Sequence, residues 1–572
     1  MNHLYYGDNL EVLRHYIADE TVDLIYLDPP FNSQANYNVL FRSQTGRNSE
    51  AQIEAFEDTW HWNAQAERSY DEVMNSGNTD VADMLMAMRS FLRENDMMAY
   101  LTMMAVRLIE LHRVLKQTGS LYLHCDPTAS HYLKILLDAI FGPERFLNEL
   151  VWRRTGSHNP RRSFGPVHDV ILVYTKSKTY KFNIIRRPYM LGHVESRYTK
   201  DANGNWKFIS GGNVLTGVGV TSGPSGQEWR GFDPSAKGRH WAIPGFYEQQ
   251  MPESYKKLNT IEKLEALYQN NLIEIKEGNT WPIMVRYLDE RDGVPLTDLW
   301  AYQPYTQGTV FNSNKGIDED VGWLGPTDPE RLGYATQKPI GLLERIVKTS
   351  SDEGDTILDP FCGCGTTIHA AQKLNRKWLG IDVTHLAIAL IEKRLKDAFL
   401  AVNYQVHGTP QDLEGARALA NADKYQFEWW AVSLVNAVPF GGKKKGADRG
   451  IDGIIYFKSE RNKTERCIVS VKGGDSVGVN MVRDLKGVME REKAPLGVFI
   501  TLAEPTRHME TEATAAGFYD AGLRGKFPKI QILTIEELLR GLRPEIPAVD
   551  LSVGFRQARR EDDSGNQSSL KF

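Results

Sequence analysis

Apolar runs and the places where they stop divide the chain. Val22 and the stretch from Leu24 to Leu27 form a short, nearly continuous apolar run, the pattern of a strand buried on both faces, and it ends at Asp28, Pro29 and Pro30. Proline lacks the N–H that a ladder needs and holds its predecessor extended, so the chain must leave the sheet and display Asp28 at the strand's carboxyl edge. Over 97–116, Met98, Leu101, Ala105, Leu108, Ile109, His112 and Leu115 recur at helical spacing; Thr118 and Gly119 close that helix, and 120–126 reads as a strand ending at Asp126. Pro127 breaks the strand, and 131–141 is helical again. Over 356–382, a strand (Ile357, Leu358), a turn holding Gly363 and Gly365, a helix near 368–374 and a strand ending at Asp382 make a βαβ unit.

Elsewhere the pattern changes. The stretch 48–95 is polar and charged with scattered tryptophans, and predicts a helical insertion. From about Trp152 to Leu332 periodicity deteriorates into interleaved glycine, proline, aromatic and basic residues, with one short helix near 261–268. Regularity lapses again over 402–424, with helical tendency at 413–422. A new amphipathic helix then carries Phe427, Trp430, Ala431, Leu434, Val435 and Val438 with Glu428 on it. After a glycine- and lysine-rich turn come strands at 454–458 and 467–472, and further helix and strand alternation at 482–489, 496–501, 530–534 and 535–542. The tail from Arg543 is proline-bearing and ends in a polar run expected to be disordered.

The length of 572 residues favours several domains, and 41% hydrophobic content is ordinary for a globular chain. No basic apolar leader opens the sequence and no long uncharged apolar run interrupts it, so the expectation is a cytoplasmic protein without membrane spans. The four cysteines lack paired-knuckle spacing and read as reduced residues, with Cys362 and Cys364 as small packing side chains of the glycine turn. A net charge of −5 does not mark a nucleic-acid binder, yet affinity for phosphate depends on local basic surface. Arg153 and Arg154, Arg161 and Arg162, and then Arg186 and Arg187 supply such a surface; the bland alternative is a solvated charged turn.

The motif Asp28-Pro29-Pro30-Phe31 resembles the catalytic motif of DNA amino-methyltransferases, which move a methyl group from S-adenosylmethionine to the exocyclic nitrogen of adenine or cytosine. The chemistry suits those residue types. Acceptors on the two amine hydrogens, here the Asp28 carboxylate and the Pro29 carbonyl, favour the pyramidal nucleophilic form, while Phe31 offers a face for a base flipped out of the duplex. By themselves the four letters equally fit a proline turn after a buried strand. The stretch Asp359-Pro-Phe361-Cys-Gly363-Cys-Gly365-Thr366-Thr resembles the S-adenosylmethionine loop of the same family, and Asp382 matches the acid that holds the cofactor ribose. Tyr6-Gly-Asp8-Asn resembles the segment whose acid faces the cofactor adenine, and Gln337-Lys338-Pro339 the motif that closes over the methionine end.

The catalytic motif precedes the cofactor loop, as in the circularly permuted β class of these enzymes. That resemblance implies an α/β fold with a Rossmann-like methyltransferase sheet: a catalytic half at 1–152, a target-recognition insertion at 153–332 and a cofactor half at 333–401. A linker at 402–424 leads to a second α/β domain at 425–542 and a tail at 543–572. The second domain resembles the Mrr-like branch of restriction endonucleases, in which Asp452 would hold Mg²⁺, Lys472 would act on the attacking water and Glu428 would be a further metal ligand. It departs from that pattern at Ser470, where an acid or glutamine belongs.

These resemblances imply an adenine-N6 methyltransferase acting on double-stranded DNA with its own Mg²⁺-dependent nuclease. The alternatives are a solitary methyltransferase, for adenine N6 or cytosine N4, with a cleavage-inactive C-terminal module, and methylation of RNA or a protein amide on the same fold. A homodimer and a separate restriction subunit stay open as partners.

Overall fold

Strand Val22–Leu27 is buried along its whole length, as its apolar run requires, and forms the centre of a nine-stranded sheet. The buried acid inside it, Asp23, is satisfied: it pairs with Lys116 at 2.7 Å and accepts the Thr356 N–H at 3.0 Å. The computed structural model describes residues 1–30, 36–42, 48–57, 61–156, 164–209, 215–249, 251–276, 281–288, 293–334, 336–440, 450–460, 463–549 and 557–561.

The sheet comprises β1 (Asn2–Tyr6), β2 (Val22–Leu27), β3 (Leu115–Cys125), β4 (Phe146–Arg153), β5 (His168–Thr175), β6 (Leu299–Trp300), β7 (Thr356–Asp359), β8 (Lys377–Asp382) and β9 (Tyr404–His407). Their order is β6-β4-β5-β3-β2-β7-β8-β1-β9. All pairings are parallel except the two made by β5, which runs against β3 and β4. One apolar cluster gathers β2, β3 and the helices α1 (Asn9–Tyr16) and α2 (Asp96–Val114); a second, on the other face, gathers α3 (Ile340–Ser350), α4 (Thr366–Lys373) and α5 (His385–Ala398). The fold is therefore the Rossmann-like α/β sheet expected.

Several local expectations give way. Helix α2 stops at Val114 and Gly119 lies inside β3, beside a register shift between β2 and β3; a side chain at 119 is excluded there, since a Cβ would sit 2.5 Å from Leu115 Cδ1 and 2.9 Å from the Asp23 carbonyl. The stretch 48–95, expected as a helical insertion, is helical at Ala64–Met74 and Thr79–Leu92, but its start, Asn48–Glu57, is a strand paired with Asn36–Arg42. The sheet does not release the chain at 152. Strand β5 is buried on both faces and returns to it, and the chain divides into one unit of 1–184, 297–302 and 320–572 and another of 185–296 and 303–319. The second unit has its own aromatic core, where Trp241 stacks on Trp281 at 5.1 Å, around helix Thr260–Gln269.

The span expected as a linker is structured. Strand β9 extends the sheet edge beside β1, and α6 (Leu413–Ala422) sends Ala416 into the core of the C-terminal domain. That domain begins with α7 (Lys424–Leu434) and holds a sheet in the order β10 (Val438–Pro439), β11 (Gly453–Glu460), β12 (Lys463–Lys472), β13 (Leu496–Thr501) and β14 (Ile530–Thr534). Its first pairings are antiparallel and its last two parallel. In the tail, residues 557–561 lie against α5, with Ala558 N–H bonded to Asp397 and Glu561 N–H to the Ala398 carbonyl; the polar run expected to be disordered, from 562 on, lies outside the described residues.

Candidate active site

The carboxyl edges of β1, β2, β7 and β8 open on one cleft of about 340 Å³, within the ~300–1,000 Å³ usual for small-molecule sites. Asp28, Pro29 and Pro30 line it where β2 ends, for the reason the prolines supply. Phe31 lies outside the described residues. Asp28 forms an ion pair with Lys338, which leads into α3, and both side chains are largely buried. Tyr26, two residues before Asp28 on the same strand, also lines the cleft.

Tyr26 is part of a buried polar chain that sequence reasoning missed. His124 on β3 meets Tyr26 Oη through Nδ1 at 2.8 Å and Asp169 on β5 through Nε2 at 3.2 Å, and Arg154 pairs with Asp169 at 3.0 Å. Burial pushes the Asp169 carboxyl up, but the His124 hydrogen bond and the His124, Lys338 and Arg154 charges outweigh it and leave it below its ordinary value. As a carboxylate Asp169 only accepts, so His124 donates to it from Nε2, and the Tyr26 hydroxyl meets the other ring nitrogen.

The glycine turn between β7 and α4 shapes the rest of the cleft. Gly363 (φ +48°) and Gly365 (φ +73°) both sit in the left-handed region, and a Cβ on Gly365 would meet Ile391 Cγ1 at 2.7 Å. The Gly363 N–H donates to Asp382 Oδ2 at 2.9 Å, and Thr384 donates its N–H and hydroxyl to Oδ1, each at 2.9 Å. Burial nevertheless dominates, and the Asp382 carboxyl is pushed up to about 6. Asp359, which accepts the Phe361 N–H at 3.1 Å, is pushed to about 7 for the same reason. Thr366 donates its hydroxyl to the Lys338 carbonyl at 3.3 Å, tying the glycine turn to the lysine that pairs with Asp28.

Asp8 caps α1 by accepting the Leu10 N–H at 2.8 Å and pairs with Arg107 of α2 at 2.9 Å. Arg107 also holds Asn9 at 2.6 Å, and Asn9 donates to the Pro360 carbonyl at 2.9 Å, so this arginine fastens the β1 edge to the glycine turn. Arg107 and Arg394 are both buried and were not anticipated. The signal was available: each is a cation set among apolar residues on a core-facing helix. Tyr334 was also missed; it lines the cleft 3.4 Å from where a Gly363 Cβ would stand.

The described residues fit S-adenosylmethionine. Asp382 at a strand end can accept from ribose hydroxyls, Phe361 adds an apolar wall, Asp8 stands at the β1 edge, and Gly363 leaves bare backbone on the cleft, whereas Gly365 does not line it and faces Ile391.

Of the arginines expected to meet DNA, Arg153 donates to the Thr155 and Tyr302 carbonyls at 3.3 and 3.4 Å, lying over Trp323, and Arg154 holds Asp169. Arg161 and Arg162 lie outside the described residues. In the C-terminal domain Asp452 accepts the Val471 N–H at 2.6 Å and stands 3.8 Å from Lys472 Nζ. Glu428 pairs with Lys424 at 3.5 Å, and burial together with the Asp452 charge pushes its carboxyl to about 7. Ser470 is buried in β12. Among the described residues no three His, Cys, Asp or Glu side chains group as metal ligands, and no helix is long and apolar enough to cross a membrane.

Residues 22–393 match the N6/N4 methyltransferase family described as "DNA methylase". Residues 434–540 match a family described as "NACHT-associated inactive Restriction Endonuclease 1". Among curated proteins, the chain is 28% identical over 401 residues to the type II methyltransferase M.EcaI of Enterobacter cloacae, covering 69% of each. It is 27% identical over 379 residues to the Mod subunit of the type III restriction-modification enzyme StyLTI of Salmonella typhimurium, covering 65% of this chain and half of that one. It is 22% identical over 405 residues to the EcoP15I Mod subunit of Escherichia coli, covering 65% of this chain and 56% of the relative. Among solved structures, the cytosine-N4-specific PvuII DNA methyltransferase aligns at 11% identity over 68% of this chain and 86% of that one, with a TM-score of 0.30. M1.HpyAVI aligns at 12% identity over 69% and 98%, with a TM-score of 0.29.

Proposed function

The chain belongs to the N6/N4 family of DNA methylases, and from that premise we propose that it methylates N6 of adenine in double-stranded DNA, with a C-terminal endonuclease-fold domain that binds without cutting. The observation that carries the reading is the opening of the Asp28 edge and the glycine turn onto one cleft.

S-adenosylmethionine, when bound, supplies an electrophilic methyl group. The residues of this chain prepare the acceptor. Asp28 and the Pro29 carbonyl accept the two N–H groups of a base amine and so free its lone pair from the ring. As the nitrogen gains its new bond to carbon it sheds a proton, which the Asp28 carboxylate is placed to hold. Lys338, paired with Asp28, holds that carboxylate in place at the end of β2 until the amine arrives. Asp382 holds hydroxyls through its carboxylate, and the turn at Gly363 lets backbone approach closely. An aspartate at position 28 resembles the adenine-directed version of the motif, which is the support for adenine N6 over cytosine N4.

The test is methyl incorporation into unmethylated duplex DNA followed by nucleoside analysis. Asp28→Ala is expected to abolish transfer while duplex and cofactor binding persist; transfer by that variant would overturn the assignment, and N4-methylcytosine in the product would overturn the choice of base. Competition by RNA across a salt series tests the RNA alternative.

Support for a non-cleaving C-terminal domain is Ser470 in place of an acid, the engagement of Asp452 by the Val471 N–H and Lys472, and the match to a family described as inactive. The grouping of Glu428, Asp452 and Lys472 favours the second reading, an active Mg²⁺ nuclease. Incubation of duplex with Mg²⁺, with and without S-adenosylmethionine, is expected to leave it intact. Cleavage lost in Asp452→Ala would establish the nuclease. Relatives named as Mod subunits make a separate restriction subunit the partner to seek.

A further inference from the structure

Arg394 occupies a core position of α5 and is 2% exposed. Its Nη1 donates to the Cys364 carbonyl and to Thr366 Oγ1, both at 3.1 Å, and so clamps the end of the glycine turn where it enters α4. Cys364 and Thr366 line the cleft, and Thr366 also reaches the Lys338 carbonyl. The guanidinium's Nε points to His369 Nδ1, 3.3 Å away.

A guanidinium has donors and no acceptor, so His369 must present a lone pair at Nδ1 and carry its proton at Nε2. That Nε2 lies 2.8 Å from Glu561 Oε1, which accepts from it. The second Glu561 oxygen pairs with Lys373 at 2.8 Å, one turn further along α4. Glu561 is in turn located by its own N–H on the Ala398 carbonyl at 3.0 Å and by the Ala558 N–H on Asp397 at 3.3 Å, both near the end of α5. The segment that follows the C-terminal domain thus reaches the back of the cofactor turn.

We propose that Glu561 is a positioning residue for the cofactor: its carboxylate fixes the His369 tautomer, and through it the Arg394 clamp on Cys364 and Thr366. Without an acceptor at Nε2 the imidazole proton is free to occupy Nδ1, where its N–H would face the Arg394 N–H donor. The clamp then loses an anchor on the side away from the cleft, and the turn loosens. Burial first, with the Arg394 charge, holds His369 down to about 4, so the ring is neutral near pH 7 and its tautomer is the variable that matters. The Glu561 carboxyl is raised by burial but lowered further by its His369 and Lys373 partners, to about 2, so it is an acceptor throughout.

This inference rests on the reading of the cleft as the S-adenosylmethionine site. The test uses full-length wild type, E561A and E561Q, with calorimetric titration of S-adenosylmethionine, methylation kinetics and ¹⁵N shifts of His369. E561A is expected to raise Kd and KM for S-adenosylmethionine roughly five-fold, the size of one lost hydrogen bond, with kcat and the duplex KM within about two-fold. E561Q, whose amide oxygen can still accept from Nε2–H, is expected to bind as wild type, and the ¹⁵N shifts should show the Nε2–H form in wild type and E561Q but a tautomer mixture in E561A. Unchanged binding by a folded E561A would overturn the proposal, as would equal weakening in E561A and E561Q. Failure of the wild type itself to bind would instead refute the cofactor reading, and the His369 shifts would still report whether Glu561 sets the tautomer.

Discussion

Asp382 is asked to do two things that oppose each other. It is buried at the end of β8, which favours its neutral form and lifts it to about 6, yet only the carboxylate can accept from two hydroxyls at once. Cofactor affinity should therefore be full above about pH 7 and fall as pH drops through about 6, by up to about ten-fold per unit, with proton release on binding. Titration calorimetry from about pH 8 to about pH 5 checks this. Asp382→Asn should bind weakly with a flatter profile, and a wild-type affinity indifferent to pH would remove Asp382 from the site. The free protein has the opposite slope. A carboxyl whose folded pKa is raised binds its proton more tightly in the native state, so its contribution to stability is lost as pH rises from its ordinary value of 3.8 to about 6.

The turn between β7 and α4 holds two glycines of unequal demand. Both have positive φ, so an alanine at either costs ~1–2 kcal/mol in backbone conformation. At Gly363 the added methyl meets only the Tyr334 ring at ordinary contact distance, whereas at Gly365 it runs into Ile391 of α5 at 2.7 Å. Gly365→Ala should be the more destabilising by a further ~1–3 kcal/mol of overpacking, read as a larger fall in the urea midpoint at unchanged slope. Equal midpoints would mean that α5 is not packed against the turn as described. The comparison isolates helix packing from backbone strain, because the second is common to both positions.

At the scale of the molecule, the methyltransferase sheet and the C-terminal domain share contacts. The His385 N–H at the start of α5 donates to the Gln426 side chain of α7 at 3.1 Å, Ala416 of α6 is buried in the C-terminal core, and Glu561 closes on α4. Ligand that binds only the native state adds about 2.7 kcal/mol at a hundred-fold excess over Kd. In calorimetry S-adenosylmethionine should raise the melting of the methyltransferase sheet and of the C-terminal domain together. A C-terminal transition indifferent to the cofactor would show that these contacts carry no coupling.

What the sequence by itself determined was local and punctuated. The apolar run into Asp28-Pro29-Pro30, the glycine turn and the acid of Asp382 each declare a strand end, and strand ends of a parallel sheet converge on one edge, so most of the cleft was legible in the sequence. Strand β5 was not, since it follows a stretch without periodicity and owes its place to pairing with β3 and β4. In the span expected as a linker the helix at Leu413–Ala422 was legible, but strand β9 was not, because edge pairing is decided by neighbours far along the chain. Nor could spacing reveal that Arg107, Arg394, His124 and Glu561 hold the site from behind, because their partners lie 25 to 192 residues away. A buried polar group must find its complement, but only the tertiary structure decides which one.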